Sequence, residues 1–100
     1  MKEDDLTVLI MDALLYSGIW AFVTHRPGAY KHLPLMKGIA DILGIIDGGR
    51  FLAIEVKGPK ARITPEQIEF IDSVNNSGGL GFFAHSLEDV ADKVKLKIRL

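Results

Sequence analysis

The chain has no cysteine among its 100 residues, which excludes a disulfide framework, a thiolate metal site and a cysteine nucleophile. Such a composition fits a reducing cytoplasm. The sequence also lacks internal repeats, low-complexity tracts and a long uninterrupted apolar run. Because the N-terminal stretch carries four acids ahead of Ala13, we expect neither a signal peptide nor a membrane span there.

What the chain does contain is enough apolar material for one packed core. Apolar residues make up 48% of the sequence and aromatic residues 8%, which is enough to build a core without disulfides or a structural metal. We therefore do not expect a disordered chain. A chain of this length predicts one domain over residues 1–100.

The formal net charge of -1 conceals an uneven distribution. Residues 25–62 hold seven Lys or Arg against three acids, and residues 93–100 hold four Lys or Arg and no acid. A folded chain could gather these cations on one face, so the net charge does not exclude a nucleic-acid partner.

Hydrophobic spacing and turn residues predict an α/β fold in the order α-β-β-β-α-β-α-β. The expected elements are a helix at 5–17, strands at 19–24, 39–46 and 50–57, a helix at 63–79, a strand at 80–85, a brief helix from Ser86 and an edge-like strand at 95–100. A long loop occupies residues 25–38. The second helix has strong start signals, because Thr64 is a suitable N-cap, Pro65 follows it, and Gln67 can complete a capping box.

The central hairpin decides whether two acids meet. A three-residue loop of residues 47–49 would pair Ile46 with Arg50, and would thereby place Asp41 opposite Glu55 on one face of the sheet. A two-residue loop would send Asp41 to the other face. We expect the three-residue loop, since its two glycines accept the positive φ of a tight turn.

Two facing carboxylates on a half-buried sheet repel each other and need a positive partner. Lys57 lies on the same face of its strand as Glu55 and supplies one charge. Two interpretations remain open: a salt-bridge cluster of Asp41, Glu55 and Lys57, or an oxygen-lined site for a hard cation such as Mg²⁺ or Mn²⁺.

The segment "GIADILGIIDGGRFLAIEVKGPKARITPEQIEFIDSVNNSGGLGFFAHSLEDV" at 38–90 resembles the VRR-NUC family of virus-type replication-repair nucleases. That family is part of the PD-(D/E)XK superfamily, so the resemblance implies a restriction-endonuclease-like core with a mixed β-sheet flanked by helices. The resemblance rests on Asp41, then Glu55 and Lys57 on the next strand, then Gln67 on the following helix.

Carried over by position, the resemblance gives each of these residues a role. Asp41 and Glu55 would bind Mg²⁺ or Mn²⁺ with the main-chain carbonyl of Val56. Lys57 would orient or help deprotonate the attacking water, and Gln67 would support the site in addition to capping its helix. All four side chains are thus candidate catalytic residues.

Two further positions follow from the resemblance. Family members carry an acid on the first helix near the metal; Glu3 is the first candidate here, with Asp4 and Asp5 as rivals. Ala40 stands where the motif has a proline. This position shapes the backbone and contributes no chemical group to the site.

The implied activity is metal-dependent hydrolysis of DNA phosphodiesters that leaves a 5′-phosphate and a 3′-hydroxyl. Small family members are homodimers that act on branched, four-way DNA of the Holliday-junction type, which implies a role in DNA repair in a bacterial or phage-infected cell. A non-catalytic DNA-binding or assembly subunit that keeps the fold is the alternative. The candidate contacts to the DNA backbone are Arg26, Lys31, His32, Lys37, Lys60 and Arg62.

Overall fold

A computed structural model of the chain describes residues 1–24 and 37–98. These residues form three α-helices and four β-strands in the order α-β-β-β-α-β-α, which confirms the predicted α/β class. The elements are α1 (Glu3–Tyr16), β1 (Trp20–Val23), β2 (Ile42–Ile46), β3 (Arg50–Val56), α2 (Pro65–Asn76), β4 (Leu80–Ala84) and α3 (Leu87–Lys93). None of the helices in this part of the chain has the length and apolar character needed to cross a bilayer.

The four strands form one mixed sheet in the order β1-β2-β3-β4. Neighbouring strands are antiparallel from β1 to β3, whereas β3 and β4 run parallel. A parallel pair needs a crossover connection, and α2 provides it. The predicted mixed sheet flanked by helices is therefore confirmed.

The two faces of the sheet are covered differently. Helices α1 and α3 pack on one face, where Ile10 and Leu14 join Ile54 in a cluster of fully buried side chains. Helix α2 packs on the other face, where Ile71 contacts a smaller cluster around Ala53. Each fully buried aliphatic side chain contributes about 1.5–3 kcal/mol of burial free energy, so both layers hold the sheet in place.

The hairpin between β2 and β3 has the predicted three-residue loop. Asp47, Gly48 and Gly49 form a short 3₁₀ turn, and Ile46 pairs with Arg50. Both glycines adopt positive φ, of 80° and 78°. The register between the two strands therefore agrees with the sequence-based expectation.

The predicted final strand at 95–100 is wrong over residues 95–98, which form no strand, and residues 99–100 lie outside the described part. Buried and exposed side chains do alternate here, as they would in a strand. Leu96 packs against the larger buried cluster beneath α1 and α3, while Lys95 and Lys97 are exposed. The backbone N–H of Lys97 donates to the Ser17 hydroxyl over 2.8 Å. This end of the chain is thus held by a side chain of the α1 C-terminus instead of a neighbouring strand.

Candidate active site

The β2–β3 register brings Asp41 and Glu55 together. Asp41 immediately precedes β2, and the Ile42 to Ile54 pair places it opposite Glu55. Its Oδ2 accepts the backbone N–H of Val56 over 2.9 Å. The odd-length loop thus puts both carboxylates on the face that the sequence predicted.

Thr24, the residue after β1, fixes the backbone of Asp41 from the other side. Its N–H donates to the Asp41 carbonyl over 2.9 Å, and its hydroxyl donates to the Ala40 carbonyl over 2.8 Å. Ala40 is fully buried and provides this acceptor at the position where the family motif has a proline. Sequence reasoning missed Thr24, because its partners are reached only across the segment 25–36.

Glu55 is the most perturbed acid of the site. Its side chain is 3% exposed, and its Oε2 atom has no hydrogen-bond partner in the described part of the chain. Burial, a hydrogen bond with Asp41 and the negative charges of Asp41 and Glu3 raise the pKa of Glu55 to about 9, against the opposing effect of Lys57. The carboxyl therefore retains its proton at neutral pH unless a cation joins it.

Lys57 is also buried, with 5% of its surface exposed. Its Nζ donates to the Arg62 carbonyl over 2.7 Å and to Gln67 Oε1 over 2.8 Å. Because an ammonium has three N–H donors, one donor remains beyond these two neutral acceptors. The ammonium is thus held in one position by backbone and amide oxygens.

Gln67 performs two structural tasks with one oxygen. Its Oε1 accepts from the Thr64 N–H over 3.0 Å while it accepts from Lys57, and its own N–H donates to the Thr64 hydroxyl over 3.2 Å. The capping box and the contact to Lys57 therefore coexist. As a result, the first turn of α2 determines where the buried ammonium lies.

The salt-bridge interpretation of the carboxylates and Lys57 does not match this arrangement. Among the residues that the structure describes, Lys37 forms an ion pair with Glu66, and His85 Nδ1 lies 3.8 Å from Asp89 Oδ2. Lys57 has no ion-pair contact with Asp41 or Glu55 among these residues, and its ammonium instead donates to neutral oxygens.

The first helix contributes Glu3 to the surroundings of the site. Its carboxylate lies close to Gly58, where an added Cβ would come within 3.4 Å of Glu3 Oε2. Its charge also acts on Glu55, as described above. Asp4 and Asp5 are exposed in the first turn of α1, where acids stabilise the helix N-terminus.

The three acids do not form a preassembled metal cluster. Within residues 1–24 and 37–98, no group of three or more His, Asp or Glu side chains is placed to hold a metal ion. Asp41 and Glu55 still fit a divalent cation. The buried Glu55 Oε2 has no hydrogen-bond partner among the described residues, and the candidate metal ligands are all oxygen atoms. Mg²⁺ in particular is bound by one or two carboxylates and keeps several waters.

The candidate DNA contacts are only partly within the described chain. Lys60 and Arg62 are exposed on the connection between β3 and α2, next to the site. Lys37 is exposed and lies 3.7 Å from Glu66 at the start of α2. The other three candidates, Arg26, Lys31 and His32, lie outside the described residues.

A groove of about 960 Å³ lies beside the site, between α2 and the start of β3. Leu43, Phe51 and Phe70 contribute to its apolar lining, and neither carboxylate of the pair borders it. Four side chains on the same sheet face are also exposed: Trp20, Phe22, Ile45 and Phe51. The carboxylate pair is therefore next to an apolar surface and outside this groove.

Comparisons with known proteins agree with this fold. A sequence model of the VRR-NUC domain matches residues 4–87. A solved structure described as a VRR_NUC domain protein superposes with a TM-score of 0.68 at 19% identity, covering 96% of this chain and 90% of that one. A search of curated proteins gave no match.

The fold and the matched domain define a nuclease domain of the PD-(D/E)XK type. Within that class, the chain belongs to the VRR-NUC family, whose domain covers most of its length.

Proposed function

We propose that this nuclease domain is a divalent-metal-dependent DNA endonuclease that cuts branched DNA, with four-way junctions as its preferred substrate. One observation supports this most strongly: a pair of facing carboxyls, Asp41 and Glu55, lies beside a buried ammonium whose position is set by Gln67. Metal-assisted phosphodiester hydrolysis uses groups of these two kinds: carboxylates that hold the cation, and a positioned positive charge that stabilises the phosphate in the transition state.

The residues that would hold the cation are Asp41, Glu55 and the main-chain carbonyl of Val56, with Glu3 as a further carboxylate. Oxygen donors alone favour Mg²⁺ or Mn²⁺ over softer metals. When bound, the cation supplies Lewis-acid stabilisation of negative charge on the phosphate. The N–H of Val56 keeps one Asp41 oxygen in a fixed direction, so the carboxylate is oriented before any ligand arrives.

Lys57 would act on the water and on the phosphate. Two of its three donors are engaged by the Arg62 carbonyl and Gln67, which leaves one donor for a water or a phosphate oxygen. A positioned cation near the scissile phosphate stabilises the charge that develops in the transition state.

We expect DNA to be held by its backbone. The cations near the site are exposed at the surface, where Lys and Arg contact phosphates and do not read base edges. Lys60, Arg62 and Lys37 are the described candidates for these contacts, and Arg26, Lys31 and His32 stay predictions. Selectivity would then come from DNA shape, which suits branched substrates better than a sequence motif. A role in DNA repair and a location in the cytoplasm of a bacterial or phage-infected cell are also part of this proposal.

We also propose that the domain acts as a homodimer through the exposed apolar sheet face. Trp20, Phe22, Ile45 and Phe51 are each 43–62% exposed on that face, and the rings of Trp20 and Phe22 contact edge to face with centroids 5.4 Å apart. Given about 150–250 Å² for each aromatic side chain, the patch exposes on the order of 400 Å². Two such patches and the adjoining groove reach the roughly 1,000 Å² that a specific interface needs.

The test is cleavage of a labelled four-way junction and of a linear duplex with the same sequence, each with Mg²⁺. We expect faster cleavage of the junction, with 5′-phosphate products, and a solution mass of two chains. Tight junction binding without cleavage under Mg²⁺ or Mn²⁺ would favour the non-catalytic DNA-binding subunit. Equal cleavage of both substrates would remove the structure selectivity.

A further inference from the structure

A second concentration of charge lies at the end of the sheet opposite the carboxylates. A pocket of about 480 Å³ is bordered by the α1 C-terminus, the β2–β3 turn and the segment after α3. Four of its lining residues are cations and one is an acid: Arg50, Lys93, Lys95, Lys97 and Asp47. We call this surface the basic pocket.

The local fold explains why these cations point outward together. After α3, Val94 is buried and Leu96 packs on the main core, so the alternating Lys95 and Lys97 are left at the surface. The N–H of Lys97 is fixed by the Ser17 hydroxyl, which anchors this segment to the end of α1.

Arg50 adds a positive charge from a fixed position. Its guanidinium donates to the carbonyls of Gly78 and Gly79 over 2.9 and 3.2 Å. Within the described part of the chain, none of the four cations has an acid as an ion-pair partner. Lys93, in the last turn of α3, is favourably placed at a helix C-terminus. Lys95 and Lys97 lie beyond the end of α3, so the helix dipole does not explain why cations occupy these positions.

The charge balance of the pocket suits a polyanion. Arg50, Lys93, Lys95 and Lys97 border it with one acid, Asp47, among them. The DNA backbone is the polyanion that the proposed function supplies, and Lys and Arg contacts to its phosphates release counterions.

The basic pocket is well separated from the carboxylates. Arg50 and Glu55 are the first and sixth residues of β3, so about 17 Å of strand lies between them. The pocket is lined by Ile46 and Leu80 on the α1 and α3 side of the sheet, whereas Glu55 lies on the α2 side with Ala53. A bound duplex would therefore have to extend at least roughly five base-pair steps past the carboxylates to reach the pocket.

We propose that the basic pocket is a second DNA-backbone site, which holds the phosphates of a duplex arm at least about five base pairs from the scissile bond. The inference rests on the proposed function for its ligand, since it requires DNA as the substrate. It assigns to Lys93, Lys95, Lys97 and Arg50 a role separate from the chemistry, and it predicts how long an arm must be.

The test measures DNA binding alone, with no divalent cation present, so that no cleavage is needed. Wild type is compared with Lys93→Ala/Lys95→Ala/Lys97→Ala and with the matched triple Lys→Arg variant, which keeps the charges. We expect the alanine variant to reduce the slope of log K against log salt by about two to three, since each phosphate contact contributes about 0.9. The arginine variant should retain the wild-type slope.

A series of arm lengths locates the contact. We expect the loss in the alanine variant to appear for arms of about ten base pairs and to disappear for arms of three. An unchanged slope in a correctly folded alanine variant, judged by its circular dichroism, would overturn the inference, as would a loss that is independent of arm length. Tight wild-type binding without cleavage would remove the proposed function and leave this site standing, whereas no DNA binding by wild type would remove both.

Discussion

Gln67 Oε1 accepts a hydrogen bond from Lys57 Nζ over 2.8 Å while it also accepts from the N–H of Thr64. A helix N-terminus and a candidate catalytic ammonium therefore share one amide oxygen. This coupling makes Gln67 a positioning residue whose structural and functional effects can be separated.

Replacing Gln67 and Thr64 in turn separates the two roles. We expect Gln67→Ala and Thr64→Ala each to lower the free energy of unfolding by about 1 kcal/mol, because each breaks the capping box. Only Gln67→Ala should also lower the cleavage rate at least tenfold, because only it removes an acceptor from Lys57. Single-turnover kinetics together with urea unfolding would test this. Equal rate losses in both variants would mean that the cap alone matters.

The pH dependence of stability should report the buried carboxyl. The pKa of Glu55 is raised from 4.5 to about 9, mainly by burial, so the folded state keeps a proton that the unfolded chain has lost. The metal-free protein should therefore be most stable below about pH 4.5 with respect to this group, and should lose that stability as pH rises toward 9. One proton gives at most about 1.4 kcal/mol per pH unit.

The isosteric Glu55→Gln variant provides the comparison, because it cannot ionise. Urea unfolding in the presence of a chelator at several pH values should give a gap between variant and wild type that grows in favour of the variant as pH rises. The exposed Glu69→Gln serves as a control and should follow wild type. A constant gap for Glu55→Gln would contradict the raised pKa.

Glycine at position 38 should be required for the packing of the site. Gly38 has a φ of 82°, and an added Cβ would lie 2.8 Å from the backbone nitrogen of Gln67 and closer still to the Glu66 carbonyl. Gly48 has nearly the same φ, of 80°, with nothing within 4 Å. Both alanine variants share the backbone strain, and only Gly38→Ala adds a clash.

We therefore expect Gly48→Ala to cost roughly 1 kcal/mol and Gly38→Ala roughly 2–4 kcal/mol of unfolding free energy. Chemical denaturation of the two variants measures the difference. Equal costs would show that the close approach of Gly38 to α2 is not a real constraint.

Metal binding should depend on the carboxyl pair even in the absence of DNA. Calorimetric titration of wild type with Mn²⁺ should show binding, and Asp41→Asn should weaken it at least tenfold because it removes one of the anionic ligands. The exposed Asp12→Asn on α1 loses the same charge elsewhere and should bind as wild type does. Similar weakening in both variants would point to a general charge effect.

The sequence allowed much of this fold to be predicted, because each feature had a local physical cause. The glycines of the hairpin loop gave its length, its length gave the register, and the register placed Asp41 opposite Glu55. Thr64, Pro65 and Gln67 likewise gave the start of α2. The mixed sheet and its class followed from these elements, although the sequence predicts a fifth strand that the described residues do not form.

Other features depended on distant contacts that a local pattern does not contain. The segment at 95–98 alternates apolar and charged residues as a strand does, yet it forms no strand. Its Lys97 N–H donates to the Ser17 hydroxyl instead of to a neighbouring strand. Thr24 supports Asp41 through the β1–β2 pairing, which no turn signal in the sequence specifies. The charge of Arg62 predicts a DNA contact, whereas its backbone carbonyl accepts a hydrogen bond from Lys57 Nζ in the structure.

The most direct test of the central claim is single-turnover cleavage of an end-labelled four-way junction by wild type, Asp41→Asn and Asp12→Asn, in Mg²⁺ and in chelator. We predict cleavage by wild type and Asp12→Asn in Mg²⁺ only, and a rate at least a hundredfold lower for Asp41→Asn. Cleavage by Asp41→Asn at the wild-type rate, or cleavage that persists in chelator, would contradict the proposed metal site.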